Sequence, residues 1–169
     1  MQKITLNLLC FSLFASIVTS AQAEKADLDK VIEVTGERTA GDLKNKVFSY
    51  IDNVVITQGT LLINADLVQV HTDESSEVIT YIARGTPATF KQTLEDGTPI
   101  YLQANEIRFE PEKNTIFITG DAELRQEGSK VSGSTISYNF LTEQVLANGD
   151  DNSQVKTVLQ PKLLDKKSK

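Results

Sequence analysis

The chain has 169 residues, among them 23 acidic and 17 basic side chains, and a net charge of −6 at pH 7. An acidic protein of this kind is not built to bind nucleic acid phosphates or an anionic membrane surface nonspecifically. Its length suits one domain, and its lone cysteine means that an apolar core rather than disulfides must hold the fold.

Residues 1–23 have the layout of a secretory signal peptide. Lys3 supplies a basic start, residues 4–18 are mostly apolar, and Ala21-Gln22-Ala23 forms a small-x-small cleavage site. The apolar run is too short to span a bilayer comfortably as a helix. Cleavage after Ala23 would also remove Cys10, so we expect an exported mature chain without a thiol.

The rest of the chain is expected to form one all-β domain, residues 24–160, followed by a flexible basic tail at 161–169. No run at helical spacing in this part is long enough for a convincing helix. Val, Ile, Thr, Tyr and Phe recur in short bursts that are cut by Gly, Asn and Asp. This pattern predicts about 14 to 16 short strands of ordinary length.

One eight-residue pattern occurs three times, at residues 63–70, 102–109 and 131–138. In each copy the apolar positions are spaced by two, then three, then two, and the step of three begins at an alanine or a glycine. Spacing two is the period of a strand. A step of three at a small residue predicts that the strand bends or bulges there and then continues with its apolar face on the same core.

A returning segment follows each copy and ends at a glycine, namely Gly85, Gly120 or Gly149. The intervals differ where turns are expected, at the polar loop 72–77 and at a hairpin turn centred on Asp96-Gly97. The copies begin 39 and 29 residues apart, and one repeat of that size cannot close its own core. The repeats therefore favour a stack of V-shaped turns.

Four stretches in the same order resemble the LptA/OstA-like family, the periplasmic bridge proteins of lipopolysaccharide transport. They are NVVITQGTLLINADLVQV at 53–70, GTPATF at 85–90, ITGDAELRQ at 118–126 and VLQPKLLDKK at 158–167. The resemblance extends from about residue 31 to residue 167, which is nearly the whole of the expected mature chain.

This resemblance implies a twisted, open-ended β-jelly roll made of two V-shaped antiparallel sheets. It implies a periplasmic protein that carries lipopolysaccharide from the inner to the outer membrane, with the lipid A acyl chains in an apolar trough between the sheets. It also implies self-association and head-to-tail contacts with the periplasmic domain of an inner-membrane transporter and with a domain of the outer-membrane translocon. Strands near 31–36 and 155–160 could make these contacts by β-augmentation.

Lipid contacts are implied at four positions that match the family, Ile32, Val34, Phe90 and Phe109. Other inward-facing apolar residues of the repeat could line the same trough. They are Ile63, Val68, Ile107, Ile136 and Tyr138. These residues could equally form a packed core, and a core packed shut would favour an alternative function, a self-assembling envelope scaffold that carries no lipid.

Residues suited to catalysis or metal binding are sparse. His71 is the only histidine and is expected at the surface, while the acidic pairs Asp73/Glu74 and Glu95/Asp96 lie in expected turns. The chain lacks an Asp-x-Asp-x-Asp-Gly calcium loop and a Gly-x-x-x-x-Gly-Lys phosphate loop. We therefore expect a non-catalytic protein without metal or cofactor, for which a partner supplies any energy.

Overall fold

The computed structural model describes Asp27 and residues 30–72 and 79–160. The described chain runs back and forth through ten antiparallel strands, with one 3₁₀ turn at Pro111–Lys113. The strands are β1 (Glu33–Thr35), β2 (Arg38–Asp42), β3 (Val47–Gln58), β4 (Leu61–Thr72), β5 (Ile79–Thr93), β6 (Pro99–Glu110), β7 (Thr115–Gln126), β8 (Ser129–Asn139), β9 (Gln144–Asn148) and β10 (Lys156–Val158).

Three of the expected segments lie wholly or mostly outside the described residues. They are the signal peptide at 1–23, the tail at 161–169 and, apart from Thr72, the polar loop at 72–77. Within the described part of the chain, no helix combines the length and the apolar character needed to cross a membrane.

A register shift divides each of the six long strands, β3 to β8, into two segments. The long strands thus contribute two segments each and the four short strands one each, which gives sixteen strand segments in ten strands. The expected 14 to 16 strands agree with the sixteen segments and exceed the ten strands, because the sequence pattern counts the two halves of a bent strand separately. The all-β prediction is confirmed.

The segments form the two halves, called arm A and arm B, of one ten-stranded sheet that is folded along the bends of the six long strands. Arm A consists of residues 33–35, 54–58, 61–65, 88–93, 99–104, 122–126, 129–133 and 156–158. Arm B consists of residues 38–42, 47–51, 67–72, 79–84, 106–110, 115–119, 135–139 and 144–148. The two arms enclose the apolar core between them.

The threefold sequence pattern corresponds to β4, β6 and β8, and its equivalent residues lie in common rows across the sheet. Ile63 pairs with Phe90, Phe90 with Leu102, Leu102 with Leu124, and Leu124 with Val131. A second row crosses arm B through Val68, Ala83, Ile107, Ile118 and Ile136. Each repeat is therefore one V, formed by a bent strand and its bent return.

Two kinds of residue lie at the bends, small residues in the repeated strands and residues with positive φ in the returning strands β3 and β7. In the repeated strands the shift falls beside the small residue that the sequence marked, for example Ala65 in β4. In the returning strands β3 and β7 it falls at Asp52-Asn53 and Gly120-Asp121, where φ is +62°, +48°, +78° and +50°. Such left-handed backbone conformations suit Gly, Asn and Asp best. The predicted bends are confirmed.

The turns between strands lie at the free edges of the two arms. Turns at 59–60, 94–98 and 127–128 form the edge called the A rim, and turns at 43–46, 111–114 and 140–143 form the B rim. The hairpin turn predicted at Asp96-Gly97 is confirmed, because the Gly97 N–H donates to the Leu94 carbonyl over 2.9 Å.

The two ends of the stack are edge strands. At one end β1 and β2 both pair with β3, and at the other end β9 and β10 both pair with β8. The segments that the sequence singled out for strand contacts, 31–36 and 155–160, therefore contain β1 and β10 of arm A.

Replacing Ile118 by alanine should lower the free energy of unfolding by about 2–5 kcal/mol, because its side chain is 1% exposed between the arms. The neighbouring substitution Thr119→Ala, at an exposed position on the outer face of β7, should change it by about 0.5 kcal/mol or less. Urea denaturation of both variants measures the difference. Equal effects would contradict the assignment of the inner face.

Candidate functional site

The apolar interior between the arms is built from alternate residues of facing strand segments. Phe90 projects into it from arm A and Phe109 from arm B, and their ring centroids lie 6.0 Å apart at an interplanar angle of 63°. Tyr81 of arm B stacks on Phe109 at 6.2 Å. These contacts show that both arms contribute to one interior.

The end of the interior nearest β1 contains the first two predicted lipid contacts. Ile32 lines a small gap together with Ile56, Tyr81 and Phe109, and it is 37% exposed. Val34 pairs with Ile56 and packs against the core. Both residues therefore lie where the interior meets solvent at the β1 end of the stack.

The other predicted positions also face the interior, where they are buried. Each has an exposed fraction of 1% or less, and they are Ile63, Val68, Ile107, Ile136 and Tyr138. Phe90 and Phe109 are buried as well, at 1% and 6%. The structure thus brings all the sequence-predicted lipid contacts to one interior.

The interior is packed rather than open. The gap beside Ile32 holds about 10 Å³, which is at or below the space that one water molecule needs. Side chains that were expected to line an open trough instead contact one another.

Two of the interior residues that sequence reasoning did not single out, Leu94 and Phe140, lie in turns. Leu94, at the A rim, is 2% exposed, and Phe140, at the B rim, is 5% exposed. In both cases the alternation of inward-facing residues continues one residue beyond the end of the strand. Leu94 follows the inward-facing Phe90 by four residues, and Phe140 follows the inward-facing Tyr138 by two. Extending the strand period into the turns would have found both residues.

Charged groups lie at the rim of the interior and not deep within it. Glu110, at the end of β6 on the B rim, is 7% exposed and forms ion pairs with Lys113 Nζ at 2.7 Å and with Arg108 Nε at 3.3 Å. An amphipathic ligand could therefore place its apolar part between the arms and its charged part beside the rims.

A larger groove, with a volume of about 620 Å³, lies on the outer face of arm A. Its lining contains a cation–π contact, with Lys91 Nζ 5.5 Å from the centroid of the Tyr101 ring, and an ion pair between Glu123 and Arg125. Burial raises the pKa of Glu123, but hydrogen bonds from Lys130 and Arg125 lower it by more and hold it below its usual value. The groove lies on the face of arm A that is turned away from the apolar interior.

Residues considered for catalysis do not assemble into a site in the described part of the chain. His71 is half-buried in β4, rather than at the surface as expected, and its Nε2 is buried without a hydrogen-bond partner. The described residues contain no cluster of three or more His, Cys, Asp or Glu side chains that could hold a metal ion. Asp73 and Glu74 lie outside the described residues.

Comparison with known proteins supports the family resemblance. Residues 33–144 match the family model described as LptA/(LptD N-terminal domain) LPS transport protein. The chain is 37% identical over 148 residues to the lipopolysaccharide export system protein LptA of Haemophilus influenzae, covering 86% of each chain. It is 34% identical to the LptA protein of Escherichia coli, covering 98% of this chain and 90% of that one.

A solved structure shows the same architecture. The crystal structure of LptH from Pseudomonas aeruginosa, described as the LptA-homologous periplasmic component of the lipopolysaccharide transport device, superposes with a TM-score of 0.71. The sequences are 26% identical, and the match covers 80% of this chain and 99% of LptH. Together with the bent antiparallel ladder, these matches show that the chain belongs to the LptA/LptD N-terminal domain family of lipopolysaccharide transport proteins.

Proposed function

We propose that this chain is a non-catalytic periplasmic carrier that binds the acyl chains of lipopolysaccharide between arms A and B. Export by the predicted signal peptide would deliver it to the periplasm, where it passes lipopolysaccharide from the inner towards the outer membrane. The names of its relatives, all lipopolysaccharide export or transport proteins, support this substrate.

The observation that carries the proposal is the continuous apolar interior between two arms that are joined only along one side. Acyl chains would lie against Phe90 and Phe109, while sugars and phosphates would remain in water at the rims. Each buried methylene contributes about 0.8 kcal/mol, so full enclosure of a ten-methylene chain would contribute roughly 8 kcal/mol. Partial enclosure between the arms binds the lipid without trapping it.

Opening the interior leaves the backbone ladder intact. Within each arm the strands are held by backbone hydrogen bonds, whereas contacts such as Phe90–Phe109 join the arms through side chains. Aromatic pairs contribute about 0.5–1.5 kcal/mol beyond their buried area. Acyl chains that replace these contacts restore much of the apolar burial, which offsets the cost of separating the arms.

The edge strands supply surfaces for a head-to-tail bridge. β1 and β2 at one end and β9 and β10 at the other present backbone groups on their outer sides, next to exposed apolar residues such as Val31 and Leu159. Strand addition at such edges forms extended assemblies when the contact does not close. The proposed partners are a second copy of the chain, the periplasmic domain of the inner-membrane transporter and the outer-membrane translocon domain.

A photoreactive phenylalanine analogue at position 109 should crosslink to lipopolysaccharide in cells. Phe109 lies in the interior, whereas Glu112 is exposed in the 3₁₀ turn only three residues later and serves as the matched control. A lipid adduct is expected at position 109 and none at position 112, as seen by immunoblotting for lipopolysaccharide.

The scaffold alternative predicts a different outcome of the same experiment. No lipid adduct at position 109, together with protein-to-protein adducts from analogues placed in β1 or β10, would refute the carrier proposal. The scaffold function of a self-assembling envelope protein would then be the better explanation.

Val158→Lys should weaken self-association, because a lysine on an edge strand opposes strand addition. Val158 lies in β10 and is 45% exposed, while Tyr101 lies in the central strand β6 and is 44% exposed. Tyr101→Lys is therefore the control that adds the same charge away from the ends. Light scattering over a concentration series measures the assembly size, and equal loss of assembly in both variants would refute the edge-strand contact.

A further inference from the structure

Phe140 differs from the other aromatic residues of the interior in the way the backbone holds it. Phe90, Phe109 and Tyr138 lie in strands β5, β6 and β8, each with a neighbouring strand on both sides. Phe140 lies just beyond β8 in the 140–143 turn of the B rim, yet its side chain is 5% exposed.

The Phe140 ring reaches across the interior to the opposite arm. Its centroid lies 5.7 Å from that of Phe90 in arm A, 6.1 Å from that of Phe109 and 4.9 Å from that of Tyr138. The ring thus occupies space directly beside Phe90 and Phe109, the two aromatic positions proposed to contact the acyl chains. An acyl chain that lies between these residues from the open side must displace the Phe140 ring.

The backbone around Phe140 permits this movement. Its N–H donates to the Asn114 carbonyl of the neighbouring B-rim turn over 2.8 Å. The turn itself is closed locally, because the Thr142 N–H and hydroxyl donate to Asn139 Oδ1 over 2.9 and 3.0 Å. Asn139 Nδ2 also donates to the Lys113 carbonyl over 3.3 Å and to Thr115 Oγ1 over 3.0 Å. Breaking these bonds together with the bond to Asn114 would let the turn swing outward while the backbone pairing of β8 with β7 and β9 persists.

We propose that Phe140 is an internal competitor of the lipid. In the lipid-free chain its ring fills the place of an acyl chain and closes the interior at the B rim. When lipid enters between the rims, the 140–143 turn swings out and the ring leaves this place. The inference rests on the proposed function, since it requires that acyl chains bind between the arms.

Hydrogen exchange of the wild-type protein tests the movement directly. Adding purified lipopolysaccharide should raise the exchange rate of the Phe140 amide by roughly tenfold or more, since its bond to Asn114 opens. The amide of Leu124, in the middle of arm A, should not exchange faster. An unchanged or slower Phe140 amide in the loaded protein would overturn the proposal.

Substitution tests the competition. Phe140→Ala should bind a fluorescent lipopolysaccharide with a Kd roughly tenfold lower, because the competing burial of the ring is lost. Phe117→Ala removes the same aromatic ring from the outer face of arm B, where Arg108 lies 4.6 Å from the ring centroid, and should leave the Kd within about twofold. Phe140→Leu, which keeps a smaller apolar occupant and preserves more of the core, should give an intermediate Kd.

The outcomes separate this inference from the proposed function. If the wild-type protein binds no lipopolysaccharide, both are overturned. If it binds but the Phe140 amide is not exposed, or if Phe117→Ala tightens binding as much as Phe140→Ala does, the carrier function stands and the role of Phe140 is refuted.

Discussion

The bend inside each long strand is the constraint on which the rest of the structure depends. A strand that continued straight past Ala65 or Gly120 would extend one sheet and leave its inner face uncovered. The register shift instead turns the second half of the strand so that its apolar residues face those of the first half. Because every long strand bends at an aligned position, the two arms share one interior along the whole stack.

Different interactions hold each arm together and hold the two arms against each other. Backbone pairing makes each arm a continuous ladder, while the facing sides meet through side chains such as Phe90, Phe109 and Phe140. Apolar contacts are not directional, so a lipid can replace them. Under the proposed function, the same interior is a packed core without lipid and the binding site with it.

Much of the fold follows from the sequence because a repeated spacing reports which face of a strand is buried. The steps of three at Ala65, Ala104 and Gly133 predicted the bends, and the row of equivalent residues follows from them. The number of strands did not follow, since spacing cannot distinguish a bent strand from two strands. Closure of the interior did not follow either, because Leu94 and Phe140 lie in turns and because spacing does not show whether facing side chains touch.

The central claim is that lipid binding moves the two arms apart. Spin labels on Glu95→Cys in the A rim and Glu112→Cys in the B rim report this distance by pulsed electron paramagnetic resonance in a chain in which Cys10 is replaced by serine. Lipopolysaccharide should lengthen the distance between these labels and leave that between Glu95→Cys and Glu127→Cys, both on the A rim, unchanged. A constant distance across the rims in protein shown to hold lipid would contradict the account.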